Sequence, residues 1–456
     1  MYRKSAWEKY SKAEVKELMK FNEEYKAFIS NGKTERLCVN EALKLAVANG
    51  FKPLSEAKEA KAGDKLYSLN RGKNIVLYVV GKEPVVNGIN VLGAHIDSPR
   101  TDVKQNPLYE DQGFALLDTH YYGGVKKYQW VTIPLALHGV ICKKDGTIVE
   151  VHVGEKDNDP VFCITDLLIH LSGDQLSKTA AKVIEGEALD VTVGSIPLKD
   201  GEKWSVKANI LKILKKEYGI EEEDFLSAEI EVVPAGKARD VGFDRGLVGG
   251  YGHDDRVCAF TSLRAVLDLE EVPERTACCI LVDKEEIGSV GSTGAQSRYF
   301  ENTIAELLAL QKETSYLAIR KCLTNTYMLS SDVSAGVDPL YAYVNEMKNS
   351  CFLGYGVVFN KYTGSRGKGG CNDAHPEYIA KLRKILDENN VNFQTAELGK
   401  VDQGGGGTIA YILANLDINV IDAGIPVLNM HAPLELVSKA DVFEAYKAYK
   451  TFLLKI

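Results

Sequence analysis

The sequence predicts an α/β fold: a central, mainly parallel sheet flanked by helices, with a mostly β domain inserted into it. Three observations carry this expectation. After residue 237, apolar strand-like runs alternate with helical periodicity, the pattern of a sheet covered on both faces. Short β-rich runs of the same buried kind occur at Asn74–Val80 and Gly88–Ala94. Between about 99 and 236, strand-like pieces are separated by polar turns and only short helical candidates. We therefore expect residues 1–98 and 237–456 to be two parts of one catalytic α/β domain and 99–236 to be the insert. A chain of 456 residues is long enough for two or three such folding units.

Each element has its own justification. Trp7, Tyr10, Val15, Leu18, Phe21, Tyr25, Phe28 and Ile29 fall on one stripe and predict a long amphipathic helix, or a helix pair, over residues 3–31. Val39, Ala42, Leu43, Leu45 and Ala46 predict a second helix that stops at Asn49-Gly50. The strands at 74–80 and 88–94 follow, and the second delivers His95 at its end. In the insert, Trp130–Leu137, His138–Ile141 and Thr147–Val153 read as strands.

Beyond 237 the expected order is a helix at Arg256–Leu269, a strand at Ala277–Val282, a helix at Gln296–Leu310, and strands at Thr326–Leu329 and Gly356–Phe359. A helix at Glu377–Asn389, a strand at Asn392–Ala396, a helix at Gly407–Leu416 and a last helix through Phe443 and Leu453 complete it. The run Gly404–Gly407 permits close backbone approach, either as a tight turn or as a substrate-facing loop.

Composition removes several function classes. The 55 basic and 63 acidic side chains leave a net charge of -8, and the lysine pairs 126–127, 143–144 and 215–216 are too short to make a nucleic-acid surface. No run of uncharged apolar residues is long enough to span a membrane. Nine cysteines, without regular spacing or any Cys-x-x-Cys pair, point to a reducing, cytoplasmic setting rather than a disulfide scaffold or a structural zinc site.

The residues that bear chemistry stand at the ends of predicted strands, where sites assemble in open α/β sheets. His95 closes one strand in Gly93-Ala-His-Ile-Asp-Ser-Pro99, with Asp97 in reach as the carboxylate partner of a metal-bound imidazole. Asp254 and Asp255 precede an apolar helix, where capping accounts for only one of them. Glu285 and Glu286 follow the strand at Ala277–Val282, Asp332 follows Tyr327–Ser331, and His431 follows the apolar run Gly424–Met430.

Together they form a nitrogen and oxygen donor set that suits zinc and is compatible with cobalt or manganese. Two ions about 3.5–4 Å apart could share one carboxylate, with one acid left unligated to move protons. Other chemistries lack their signatures: the sequence has no Gly-x-Ser-x-Gly elbow, no dinucleotide fingerprint and no phosphate loop of correct spacing.

The ordered blocks Ala94–Pro99, Gly252–Arg256, Asp283–Ser289, Ser331-Asp332 and Asn429–Glu435 resemble the aspartyl aminopeptidase family of cocatalytic zinc metallopeptidases. The resemblance extends over essentially the whole chain, insert included. It implies that His95, Asp254 and Asp332 hold one Zn2+, that Asp254, Glu286 and His431 hold a second, that Asp97 orients His95, and that Glu285 is the general base. It further implies peptide substrates cleaved at the first bond, and a homo-oligomer, a dodecamer built partly through the insert.

Three places depart from the family's pattern, one of them the run Val333–Asp338 after Asp332, which lacks the histidines often found there. The family's acidic-substrate preference is linked to a lysine in the segment matching Gly356–Lys361, where Asn360 stands with Lys361 beside it. In Asp166-Leu-Leu-Ile-His170 only the second of two spaced histidines remains, so His170 is the candidate for entry into a neighbouring subunit's site. The alternatives are a dinuclear hydrolase of acylated amino acids or dipeptides, and an inactive peptide-binding assembly protein.

Overall fold

The computed structural model describes residues 4–199 and 203–456, so the first residue of the expected N-terminal helix lies outside the described residues. Two compact units divide the chain. One comprises residues up to 97 with 238–430 and 434–456, and the other comprises 98–237 with 431–433.

The first unit is built on a nine-stranded sheet in the order Lys52–Pro53, Lys65–Asn70, Asn74–Val79, Ala277–Val282, Asn90–His95, Tyr327–Ser330, Asn419–Gly424, Val357–Asn360 and Phe393–Thr395. The four strands from Ala277–Val282 to Asn419–Gly424 run parallel. The hairpin Lys65–Asn70/Asn74–Val79 and the strand Val357–Asn360 join them antiparallel, so the sheet is mixed. Both faces are buried, and the alternation of side chains shows it. Ile75, Leu77, Leu92, Cys279 and Leu281 enter one core, while Val76, Tyr78, Val91, Cys278 and Ile280 enter the other.

Helices Lys12–Asn31, Glu35–Ala48, His253–Leu267, Pro376–Glu388 and Lys439–Lys455 cover the first face, and Tyr299–Leu310, Tyr316–Thr324 and Ala410–Ala414 the second. Their limits follow local chemistry. Ser11 and Glu14 form a capping box that starts the first helix at Lys12, later than the stripe alone suggests, with a separate 3-10 turn at Ala6–Glu8. The helix expected at Gly407–Leu416 is confined to Ala410–Ala414, because the glycine run packs against another segment instead. The Gly406 amide donates to the Thr363 carbonyl at 2.9 Å, and a Cβ on Gly405 would lie 2.4 Å from the Ser365 backbone. The same unit holds a five-stranded sheet of short strands, Arg239–Val241, Leu247–Gly250, Glu435–Ser438, Pro426–Leu428 and Ser334–Ala335.

The second unit is a six-stranded antiparallel sheet in the order Ile148–Val153, Leu135–Cys142, Ala228–Pro234, Arg100–Asp111, Phe114–Tyr122 and Val191–Gly194. Helix Ser205–Tyr218 packs over its apolar face through Val206, Ile210 and Leu214. The two strands expected at Trp130–Leu137 and His138–Ile141 are one strand that starts at Leu135. Pro134, which has no amide hydrogen to offer a ladder, precedes it, and Trp130 is buried outside the sheet.

Candidate metal centre

Sheet order brings the chemistry together. Asn90–His95 lies between two parallel neighbours, Ala277–Val282 and Tyr327–Ser330, so their carboxyl ends are adjacent. Those ends carry His95, the turn that leads to Glu285 and Glu286, and Asp332. The next strand tolerates this crowding through a missing side chain. A Cβ on Gly424 would sit 1.6 Å from the Asp332 carbonyl oxygen, so any other residue would push Asp332 away.

His95 is 1% exposed and fixed through both ring nitrogens. Its Nδ1 lies 3.0 Å from the Asp97 carbonyl oxygen and 3.3 Å from the Asp97 carboxylate, and its Nε2 lies 3.1 Å from Asp254 Oδ1. Glu285 Oε2 is 3.9 Å from the same Nε2. The buried Asp97 carboxylate has further work: its two oxygens accept the Glu285 and Glu286 amides, each at 3.1 Å. One side chain thus ties the His95 strand end to the turn that bears both glutamates.

Asp254 and Asp255 enter from the start of helix His253–Leu267, after Gly252 in the left-handed region at φ 78°. Neither residue has helical backbone angles, no side chain caps this terminus, and the peptide bond between them is cis. With Gly252 at the N-cap and no side-chain hydrogen bond to this terminus, Asp254 is not the ordinary helix cap its position suggests. Its amide donates to the Glu435 carboxylate at 3.0 Å, and Asp255 Oδ2 accepts the His95 amide at 3.3 Å.

Ligand atoms of His95, Asp254 and Asp332 lie within 4.8 Å of one another, and so do those of Asp254, Glu286 and His431. Asp254 belongs to both groups. Such crowding of acids is costly without a cation. Burial, then Asp255, pushes the Asp332 carboxyl well above its ordinary range, and burial does the same to Asp255 with Asp254 beside it. Burial works against charge on His95, yet its contacts with Asp254 and Asp97 raise it. Two imidazoles and several carboxylate oxygens, drawn together with excess negative charge, fit divalent ions of the zinc class.

Residues 28–453 match the family described as aminopeptidase I zinc metalloproteases, M18. A probable M18 family aminopeptidase 1 of Clostridium acetobutylicum is 60% identical over 99% of this chain and 98% of its own. The chain belongs to the M18 family. The crystal structure of an M18 aminopeptidase from Thermotoga maritima superposes with a TM-score of 0.96 at 47% identity, covering all of both chains. The yeast mApe1 dodecamer, at 21% identity and a TM-score of 0.75, covers 94% of this chain and 95% of its own, and shares the fold. The protein is a metal-dependent aminopeptidase.

In this aminopeptidase the expected site residues His95, Asp97, Asp254, Glu285, Glu286 and Asp332 all lie around the strand ends of the nine-stranded sheet. His431 needs a correction of place. The apolar run before it forms Pro426–Leu428, a strand of the five-stranded sheet, and His431 stands in the loop that leads to Glu435–Ser438. Its Nδ1 is 2.9 Å from the Gly124 carbonyl oxygen, which fixes that nitrogen as a donor and leaves Nε2 as the ring atom able to bind a metal.

His170 is exposed on the 3-10 turn Ile169–Leu171. Asn360 is 3% exposed, and its amide donates to the Ala396 carbonyl oxygen at 2.9 Å. Lys361 pairs with Asp373, which Lys368 also meets at 2.9 Å. Sequence reasoning gave no role to Glu435 or Asp255. Glu435 opens the short strand Glu435–Ser438, where its burial beside apolar Leu436 and Val437 is not announced by any longer pattern.

Proposed function

We propose that the enzyme holds two Zn2+ ions, one by His95, Asp254 and Asp332 and one by Asp254, Glu286 and His431, and removes single residues from the free N-termini of short peptides. The observation that carries this reading is the membership of Asp254 in both ligand groups. Bound there, the ions supply Lewis acidity to the scissile carbonyl and lower the pKa of water. Cobalt or manganese suits the same donors.

Glu285 is the general base. It stands outside both groups, 3.9 Å from the His95 ring, and is partly open to solvent. It takes a proton from the attacking water and passes it to the leaving amine. Asp97 keeps Glu285 and Glu286 in place through their amides and holds the ring of His95. With Asn360 committed to Ala396 and Lys361 to Asp373, neither supplies an open cation for an acidic side chain, which supports cleavage after neutral residues at least as readily as after acidic ones.

The experiment is a peptide-library assay on metal-depleted protein, repeated after addition of Zn2+, Co2+ or Mn2+, with free and acetylated N-termini in parallel. Restored release of N-terminal residues from free-amine peptides alone is the expected result. Preferential hydrolysis of the acetylated compounds would instead identify a hydrolase of acylated amino acids. In the same assay Glu285→Gln should keep its metal while turnover falls about 10²–10⁴-fold.

Assembly and location belong to the same reading. The second unit exposes Leu167, Leu168, Ile169, Leu171 and Leu176 around His170 within a short stretch, an apolar surface that a further copy of the chain would cover. This supports a homo-oligomer, with the dodecamer named for the yeast protein as its form and His170 as the residue offered to a neighbouring site. All nine cysteines are free, in keeping with a reducing cytoplasm. No helix among the described residues is long and apolar enough to cross a membrane. Light scattering on the active enzyme tests the assembly, and an active monomer would overturn it.

A further inference from the structure

The second unit carries a histidine pair that the aminopeptidase reaction does not use. His138 and His152 are direct partners across strands Leu135–Cys142 and Ile148–Val153, so their side chains share one face of the sheet. Their Nδ1 atoms face each other at 3.2 Å. Each remaining nitrogen looks at a carboxylate. His138 Nε2 is 3.0 Å from Glu155 Oε1, and His152 Nε2 is 3.5 Å from Glu150 Oε2. Glu155 is itself held in place, because its other oxygen accepts the Gly236 amide at 3.1 Å.

Proton accounting makes the arrangement informative. An ionised carboxylate only accepts, so His138 Nε2 carries its hydrogen toward Glu155, and the same tautomer of His152 points its Nε2 hydrogen toward Glu150 at the longer 3.5 Å. Two neutral rings in that tautomer turn their Nδ1 lone pairs at each other, which is repulsive unless a cation lies between them. A single proton is one such cation. A metal ion is the other, and the spacing fits it: tetrahedral bonds of 2.0–2.1 Å place two ligand nitrogens about 3.3 Å apart.

The glutamates then have the usual part of outer carboxylates, fixing the tautomer and raising the basicity of the ligand. His138 is 4% exposed and gives the site a rigid wall, whereas the His152 side chain is 40% exposed and leaves room for solvent to complete the coordination.

We propose that His138 and His152 chelate one transition-metal ion, with Glu155 and Glu150 as outer carboxylates, at a site that has no residue in common with the catalytic centre. The spacing suits tetrahedral Zn2+, and Cu2+, which binds nitrogen donors most strongly among the divalent ions, is the spectroscopic probe of the same two imidazoles.

The test titrates the dialysed holoprotein with Cu2+ and reads the bound ion by electron paramagnetic resonance. One equivalent per chain with superhyperfine coupling to two nitrogens is expected, together with an ion between the two rings in an anomalous map at the copper edge. In His152→Ala, a change at an exposed position, the two-nitrogen signal should vanish while peptide turnover is kept. Glu155→Gln should weaken uptake about tenfold or more. Uptake and signal in His152→Ala equal to those of the parent, or no uptake by either protein, would overturn the proposal.

Discussion

The two candidate ligand groups of the aminopeptidase share Asp254 but are held in different ways. His95 closes a strand with hydrogen-bonded neighbours on both sides, and Asp332 follows another, Tyr327–Ser330, after one intervening residue. Glu286 and His431 stand on turns instead. Glu286 lies in the 3-10 turn Glu285–Ile287, bounded by Lys284 and Gly288 at φ 69° and 93°, and His431 has φ 67° in its loop. A strand end is positioned by the sheet, so its ligand inherits the rigidity of the core. A turn must be held from outside, here by the Asp97 carboxylate on the glutamate amides and the Gly124 carbonyl on His431. Changes in the first group should therefore register in stability as well as turnover, and changes in the second mainly in turnover.

The largest effect belongs to the shared residue. Asp254→Asn removes a ligand from both groups, so kcat/KM should fall by about 10⁴-fold or more, the upper end of a single group's usual contribution. Metal analysis should find both ions weakened together. Loss of only one ion would show that the two groups are not joined at Asp254 and would break the comparison at its hinge.

Next come the two histidines. His95→Ala and His431→Ala should each lower turnover by about 10²–10³-fold, on the scale of losing one group that stabilises developing charge. Their stabilities should differ. In metal-free protein His95→Ala leaves Asp97 and Asp254 buried beside an empty space, a loss of about 3–5 kcal/mol for a broken buried pair. His431→Ala, at a partly exposed loop position, should stay within about 1 kcal/mol of the parent. Denaturant unfolding of both variants measures this, and equal losses would erase the distinction between strand-borne and turn-borne ligands.

The same distinction explains what the sequence could reveal. Apolar runs such as Ala277-Cys-Cys-Ile-Leu-Val282 announce buried parallel strands, so His95 and Asp332 were legible as strand-end residues. His431 followed a run of similar character that forms a three-residue strand in the smaller sheet, and nothing local tells the two sheets apart. The hairpin Arg100–Asp111/Phe114–Tyr122 escaped because it is half-exposed, rich in charge, and irregular between Val103 and Leu108, which scrambles the two-residue period. Glu435 and the hold of Asp97 on two amides are three-dimensional facts. Their partners lie 181 and 188–189 residues away, beyond any pattern window.

Asp97→Asn tests how much the turn relies on that hold. An amide side chain keeps one accepting oxygen but turns an NH2 toward the second backbone amide, leaving a donor unpaired at a cost of about 1–3 kcal/mol. Turnover should fall about 10–100-fold, as for other outer partners of metal ligands, and Zn2+ affinity should weaken alongside it. A retained rate would show that Glu285 and Glu286 keep their places without the carboxylate.

The smallest effect on turnover is expected at Asp422, a buried acid that belongs to neither ligand group and so serves as the control. It shares a strand face with Val420, on the side of the second core, and accepts the Thr408 hydroxyl at 2.7 Å. Burial pushes its carboxyl from 3.8 up to about 7, against the hydrogen bonds from Thr408 and Ser330. Between those two values the folded protein keeps a proton that the unfolded chain has released. This contribution to stability therefore falls as pH rises from 3.8 to about 7, and the cost is complete above that. Asp422→Asn cannot ionise and lacks this slope. Its Tm should match the parent below pH 3.8 and exceed it by a few degrees above about 7, with turnover and metal content unchanged. Parallel Tm profiles would show that Asp422 ionises without penalty in the fold, and a loss of metal would place it in the centre after all.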